Sequence, residues 1–203
     1  CVEHKIEYVE VVVSSRNPSV GDRPLGYNEK GFTSIVGERP RLILDELLAD
    51  RNVLYVDVDV ALLADPFPML TQGYDIWTSM DHPHVHCTGI LAVAVSRRTI
   101  DFLSEWETAI HGTQTTIGNQ EAFNRVLRAE ENLDLNVFGL SQEQFPPGSV
   151  YFAEPARLNR SAVVAVHNNF IVGSAPKRKR FMDYGLWLVG GERRGEASRQ
   201  HPE

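Results

Sequence analysis

A chain of 203 residues is long enough for one compact domain with a sizeable core and too short for two of ordinary size. Hydrophobic residues make up 42% and charged residues 23%, which excludes wholesale disorder, collagen and coiled coil. The formal charge of −7 argues against a nucleic-acid surface, and no apolar run approaches the roughly 20 residues of a membrane span.

The chain opens on Cys1 without a signal-peptide pattern and reads as the last turn of a helix, followed by a strand over 6–13 (IEYVEVVV). A domain that begins on a helix end reads as a fragment lacking its first βα unit. Residues 14–37 are dense in Ser, Gly, Pro and Asn and predict a long loop. Pro40 then sits where a first helical turn tolerates it, and leucines at helical spacing run to residue 48. Residues 53–60 (VLYVDVDV) form an apolar run typical of a buried central strand, interrupted by two aspartates and stopped by DPFP. Strands are expected at 75–80 and 89–95, and helices at 97–111 and 119–130, the latter two burying Trp106 and Phe123. Short strands follow at 135–138, 150–153 and 162–167, and the polar, Gly-rich tail 190–203 reads as disordered. Apolar strands alternating with amphipathic helices predict a single α/β domain over 1–189 with a mainly parallel sheet flanked by helices.

Asp57-Val58-Asp59 carries the first chemical signal. Alone it is weak: 11 aspartates in the chain predict about 0.6 such pairs by chance. Its setting matters more, because two carboxylates ~5 Å apart at the end of an apolar strand repel by about 3 kcal/mol at an effective dielectric near 20. A divalent cation removes that cost, and oxygen ligands suit Mg²⁺ or Mn²⁺. The bland alternative is that both aspartates cap a turn. A third reading comes from VLYVDVDVAL, which resembles the nucleophile loop of haloacid dehalogenase-like phosphatases. The downstream Gly-Asp-x-x-x-Asp motif of that superfamily is missing, since only Asp134 and Asp183 follow Asp101.

Several further strings occur in one order: NVLYVDVDVALLADPF (52–67), Cys87-Thr88-Gly89-Ile90, and Asn119-Gln120 with Asn124. A Phe-Pro-x-Gly turn at Phe145, His167-Asn168-Asn169, Gly173, Lys177, Arg180-Phe181 and Gly185-Leu186-Trp187 complete it. Together they resemble the nucleotide-diphospho-sugar transferase domain of glycosyltransferase family 77. The resemblance implies a GT-A fold, a sugar-nucleotide donor, a glycan or glycoprotein acceptor, retention of configuration, and a Golgi or secretory-lumen setting. Mapped by motif, it makes Asp57 a contact to ribose and metal, Asp59 a metal ligand and His167 the third ligand. Lys177 would meet the diphosphate, with Gly89 and Gly173 also assigned to the donor pocket. Asp81, Asn119 and Gln120 are the candidates for donor-sugar or acceptor contacts and for catalysis.

The chain departs from the pattern at Asn119, where an acidic residue is expected, and at Cys87, where Asn is frequent. With the missing first βα unit, these departures leave a non-catalytic scaffold or glycan-binding module as the competing reading. Arg39 or Arg41 either reaches phosphate or forms a solvated helix start. His82, His84 and His86 alternate and would share one face of an extended segment. Zinc there lacks a fourth ligand, which leaves an acceptor-groove role or a plain surface loop. Lys177-Arg178-Lys179-Arg180 is too short to make the chain basic, two cysteines build no disulfide framework, and Asn159-Arg160-Ser161 is a glycosylation sequon.

Overall fold

The computed structural model describes residues 36–112, 117–129 and 134–187. The strand expected at 6–13, almost all of the loop at 14–37 and the tail at 190–203 lie outside the described residues. The elements in order are α1 (Arg39–Leu48), β1 (Val53–Val56), β2 (Val60–Leu62), β3 (Ile76–His82) and β4 (Val85–Val93). Then come α2 (Arg97–His111), α3 (Asn119–Ala129), β5 (Val137–Gly139), α4 (Gly148–Tyr151), β6 (Ala165–His167) and α5 (Ser174–Asp183).

The main sheet has the order β1-β4-β3-β5, with helices packed on it, so the α/β architecture stands. It is mixed: β4 runs antiparallel to both neighbours, while β3 and β5 are parallel. The departure from a mainly parallel sheet has a local cause. His82 pairs with Val85, so β3 and β4 are joined by only Pro83 and His84, and a two-residue link admits only an antiparallel return. His84 takes the left-handed conformation that the turn requires (φ 68°). The turn also removes the expected shared face of His82, His84 and His86, which sit on two strands and a corner.

β4 is buried on both faces, which is why GILAVAV reads as one apolar run. Leu91 and Val93 join Ile76, Phe102, Leu103, Trp106 and Phe123 beneath the helices, whereas Ile90 and Ala92 face Trp77, Leu140, Phe145 and Ala165. α2 starts on a capping box, with Ser96 and Thr99 satisfying each other's backbone donors. Trp106 Nε1 donates to the Asn119 carbonyl (2.9 Å), which fixes where α3 begins. The predicted strand at 150–153 is instead the short helix α4 followed by a turn. Pro147 and Gly148 set its start, and Tyr151 is buried against Val163 and Val166, so tertiary packing overrides the β-propensity of Val150 and Tyr151. α5 buries only Phe181, so its sequence lacks the apolar periodicity that would announce a helix.

Phe123 is fully buried and meets Phe102 and Trp106 edge-on at ring distances of 5.2 and 5.0 Å. Phe123→Ala should cost about 3–5 kcal/mol in urea unfolding, through lost transfer energy and the cavity left behind.

Candidate active site

β1 ends where Asp57 begins. Its N–H donates to the Gly89 carbonyl (2.8 Å), and the Val60 N–H returns to the Asp57 carbonyl (3.0 Å), closing a tight turn between β1 and β2. β2 leaves the main sheet and pairs antiparallel with β6, placing Val60 opposite His167. The Asn168 N–H then donates to the Asp59 carbonyl (2.9 Å). A short second sheet thereby brings a histidine from the far end of the chain to the acidic turn.

Asp57, Asp59 and His167 each offer one ligand atom, and those atoms lie within 4.8 Å of one another. His167 Nε2 is 3.7 Å from Asp57 Oδ2 and 3.6 Å from Asp59 Oδ1. The remaining carboxylate oxygens are already held. Asp57 Oδ1 accepts from Arg39 (2.6 Å) and from the Tyr55 hydroxyl (2.7 Å), and Asp59 Oδ2 accepts from Lys177 Nζ (2.6 Å). Each aspartate is therefore clamped by one oxygen and presents the other to a shared space. Two oxygens and an imidazole nitrogen converging in this way suit a divalent cation such as Mn²⁺ or Mg²⁺.

The electrostatics follow from the crowding. Burial alone would raise the Asp59 carboxyl, but His167 and Lys177 outweigh it and hold it well below the usual range. Burial would lower the His167 imidazole, yet Asp59 and Cys87 lift it to about 10. Burial pushes the Tyr55 phenol up to about 12, so it stays a donor to Asp57. The imidazole sits on a floor made by β4, with Cys87 Sγ 3.4 Å from Nδ1. A Cβ on Gly89 would lie 2.2 Å from His167 Cε1 and 2.9 Å from Asp57 Oδ2, so only glycine leaves room for the ring.

Arg39 is buried. It is not a solvated helix start: besides Asp57 it donates to the Thr88 carbonyl (2.9 Å), Thr88 Oγ1 (2.6 Å) and Asn119 Oδ1 (3.1 Å). Arg41 is the exposed one, beside Asp45. Asn119 is buried, also bonded to Thr88 and to the Val36 carbonyl, so its side chain braces the wall behind the acidic pair. Asp81 and Gln120 form a separate group: Asp81 Oδ2 accepts from Gln120 Nε2 (2.9 Å) and Oδ1 from Asn169 Nδ2 (2.7 Å). Gly173 caps α5 at φ 95°, and Lys177 stands one turn in, which aims it at Asp59. His82 and His86 lie apart from this cluster, and His86 Nδ1 is bonded to Thr78 (2.7 Å); among the described residues the only cluster with metal-ligand geometry is Asp57, Asp59 and His167.

Sequence alone gives no role to Tyr55, or to Thr88 and Asn169 within their strings. Tyr55 is two residues before Asp57 on the same strand face, which period-2 spacing reveals once the site is known. Asn169 lies in the His-Asn-Asn string, but its partner Asp81 is 88 residues away.

The described residues form a mixed α/β unit whose acidic turn lies at the carboxyl end of the half-buried strand β1, the end at which ligand sites of α/β sheets lie. Residues 4–181 match the family model described as nucleotide-diphospho-sugar transferase, and the chain belongs to that family. Relatives include UDP-D-xylose:L-fucose alpha-1,3-D-xylosyltransferase 3 of Arabidopsis thaliana, 33% identical over 80% of this chain and 49% of that protein. UDP-galactose:fucoside alpha-3-galactosyltransferase of Dictyostelium discoideum is 26% identical over 82% of this chain and 30% of that protein. The chain thus spans about half or less of the length of these relatives. A solved glycosyltransferase, GlyE of Streptococcus pneumoniae TIGR4, aligns over 74% of this chain and 42% of that chain at 12% identity and TM-score 0.43.

Two outcomes are expected. Gly89→Ala displaces the imidazole and should weaken Mn²⁺ binding by about 10-fold or more in calorimetry. The pKa of His167 is raised above its unfolded value near 6.5, so its contribution to stability is complete below that pH and lost as pH rises through about 10. Thermal melts of the metal-free chain should fall across that window, and those of His167→Gln should lack this loss.

Proposed function

We propose that this chain is the catalytic core of a metal-dependent glycosyltransferase that moves a sugar from a UDP donor onto a hydroxyl of a fucose-bearing glycan or glycoprotein. The single observation that carries the reading is the convergence of Asp57 Oδ2, Asp59 Oδ1 and His167 Nε2 on one space, with Lys177 at its edge. The named relatives use different donor sugars, xylose and galactose, yet both names specify a fucose acceptor. The acceptor is therefore the better-supported half of the substrate pair. Secretory-lumen residence, and with it glycosylation at Asn159, belongs to the same proposal.

When bound at the three ligand atoms, Mn²⁺ or Mg²⁺ supplies positive charge against the diphosphate as it departs. The rest falls to the chain. Arg39 and Tyr55 hold Asp57 by one oxygen, and Cys87 with the Gly89 floor orients the imidazole, so the ligand atoms are preorganised. Lys177, about one third exposed, carries a compact cation to the mouth where the leaving group gains charge. Asp81 is braced by two neutral amides, so its negative charge is free to face the cationic character that develops at the anomeric carbon. Gln120 holds that carboxylate in place and, with it, defines the sugar side of the site. Retention of configuration is part of the proposal and agrees with the alpha linkages in the relatives' names.

The test is transfer from UDP-xylose or UDP-galactose to methyl α-L-fucoside with Mn²⁺ present. Asp59→Asn should lower the rate by roughly 100-fold or more, because it removes a charged ligand and the partner of Lys177. Activity that survives both the substitution and chelation would refute the metal assignment. A chain that binds neither UDP nor Mn²⁺ in calorimetry would instead favour the scaffold reading.

A further inference from the structure

Phe170 is unexplained by the metal site. It has φ 56°, a left-handed conformation that a bulky residue adopts only when its surroundings impose it. The surroundings are three hydrogen bonds on the preceding residue. Asn169 Nδ2 donates to Asp81 Oδ1 (2.7 Å), the Gly148 N–H donates to Asn169 Oδ1 (2.7 Å), and Arg180 donates to the Asn169 carbonyl (2.6 Å). Burial does not offset the strain, since Phe170 is 52% exposed. The ring stands edge-on to His82, with centroids 5.7 Å apart, and it walls a cavity of about 650 Å³ between α4 and α5.

Phe170 and Gly148 line the cavity, one following Asn169 in the chain and the other donating to its Oδ1, and Asn169 in turn holds Asp81, so the cavity adjoins the Asp81–Gln120 group. Its size is that of a small-ligand pocket. Phe152, Ile171 and Tyr184 give it apolar surface. Its cations are already engaged: Lys179 binds both oxygens of Asp183 (2.9 and 2.7 Å), and Arg180 holds Asn168 Oδ1 (2.6 Å) and the Asn169 carbonyl. A neutral ligand with an apolar face is favoured over an anion. A 6-deoxyhexose fits that description, because a methyl group replaces the usual hydroxymethyl and its C–H face can lie on an aromatic ring.

We propose that this cavity is the acceptor subsite, that it takes a fucoside, and that Phe170 is the residue that selects the deoxy sugar. The proposal rests on the transferase reading given above for the reaction, while its binding test does not. Methyl α-L-fucoside and methyl α-L-galactoside differ only by the 6-hydroxyl, so they isolate the contact in question. Phe170→Ala should raise the acceptor KM for the fucoside about five- to tenfold, with the donor KM within twofold, and Phe170→Tyr should restore it. Ser149→Trp, which fills the cavity from α4, should raise the same acceptor KM. Saturation-transfer NMR on the 203-residue chain should show the fucoside methyl in contact with the protein, and that contact should be lost in Phe170→Ala. An acceptor KM unchanged in both variants, or a methyl contact that persists without Phe170, overturns the proposal. If no transfer is seen yet the methyl contact appears and depends on Phe170, the transferase reading fails and the sugar site stands.

Discussion

Two like charges two residues apart at the end of a half-buried strand repel each other, and the surrounding structure is organised around that repulsion. Arg39 and Tyr55 take one oxygen of Asp57, Lys177 takes one oxygen of Asp59, and the His167 imidazole stands between the remaining two. These partners do not cancel the problem symmetrically. Arg39 is buried and makes four hydrogen bonds, so its charge is fixed, whereas Lys177 is partly exposed and reaches across from a separate helix. The acidic pair therefore has a rigid back and an adjustable front, which is the arrangement expected where a charged substrate enters from one side.

The geometry depends on a small sheet that adds little to the core. β2 and β6 contribute three residues each, and Asp59 and Lys177 are 118 residues apart. Bringing such distant segments together costs loop-closure entropy, and it is recovered through backbone hydrogen bonds as well as charge. Ala165, Val166 and the neighbouring Val164 are buried, so β6 is anchored by apolar contact before His167 emerges at its end. Gly89 completes the fit from the other direction by leaving the ring a place to lie.

A second, chemically different group lies beside the first. Asp81 is held by Gln120 and Asn169, both neutral, and so keeps the charge that Asp57 and Asp59 share with cations. The two groups meet through the chain itself, since His167 belongs to one and Asn169 to the other. One segment of three residues, His167 to Asn169, thus fixes both groups in register, and any shift in its backbone would move both.

Much of this was legible beforehand. Periodicity located the helices at 97–111 and 119–130 and the core roles of Trp106 and Phe123, because each buries a continuous apolar face that sequence spacing records. The run at 53–60, read as one buried central strand, instead divides into the half-buried β1 and a separate β2 that pairs in another sheet. The acidic pair and His167 were visible as residue types in order along the chain. What sequence could not supply was contact between segments. The antiparallel return at Pro83-His84 scattered the three histidines, packing turned 150–153 into a helix and a turn, and α5 gave no apolar signal because it buries one side chain. Arg39 reads on paper either as a phosphate contact or as a helix start open to water, and only the tertiary structure places it under the acidic turn. The sequence by itself determined which residues can hold charge and which must be buried, since hydrophobicity and ionisation are properties of single side chains. The tertiary structure decided which charges meet, because that depends on the pairing of β2 with β6, and three-residue strands carry too little local pattern to announce their partner.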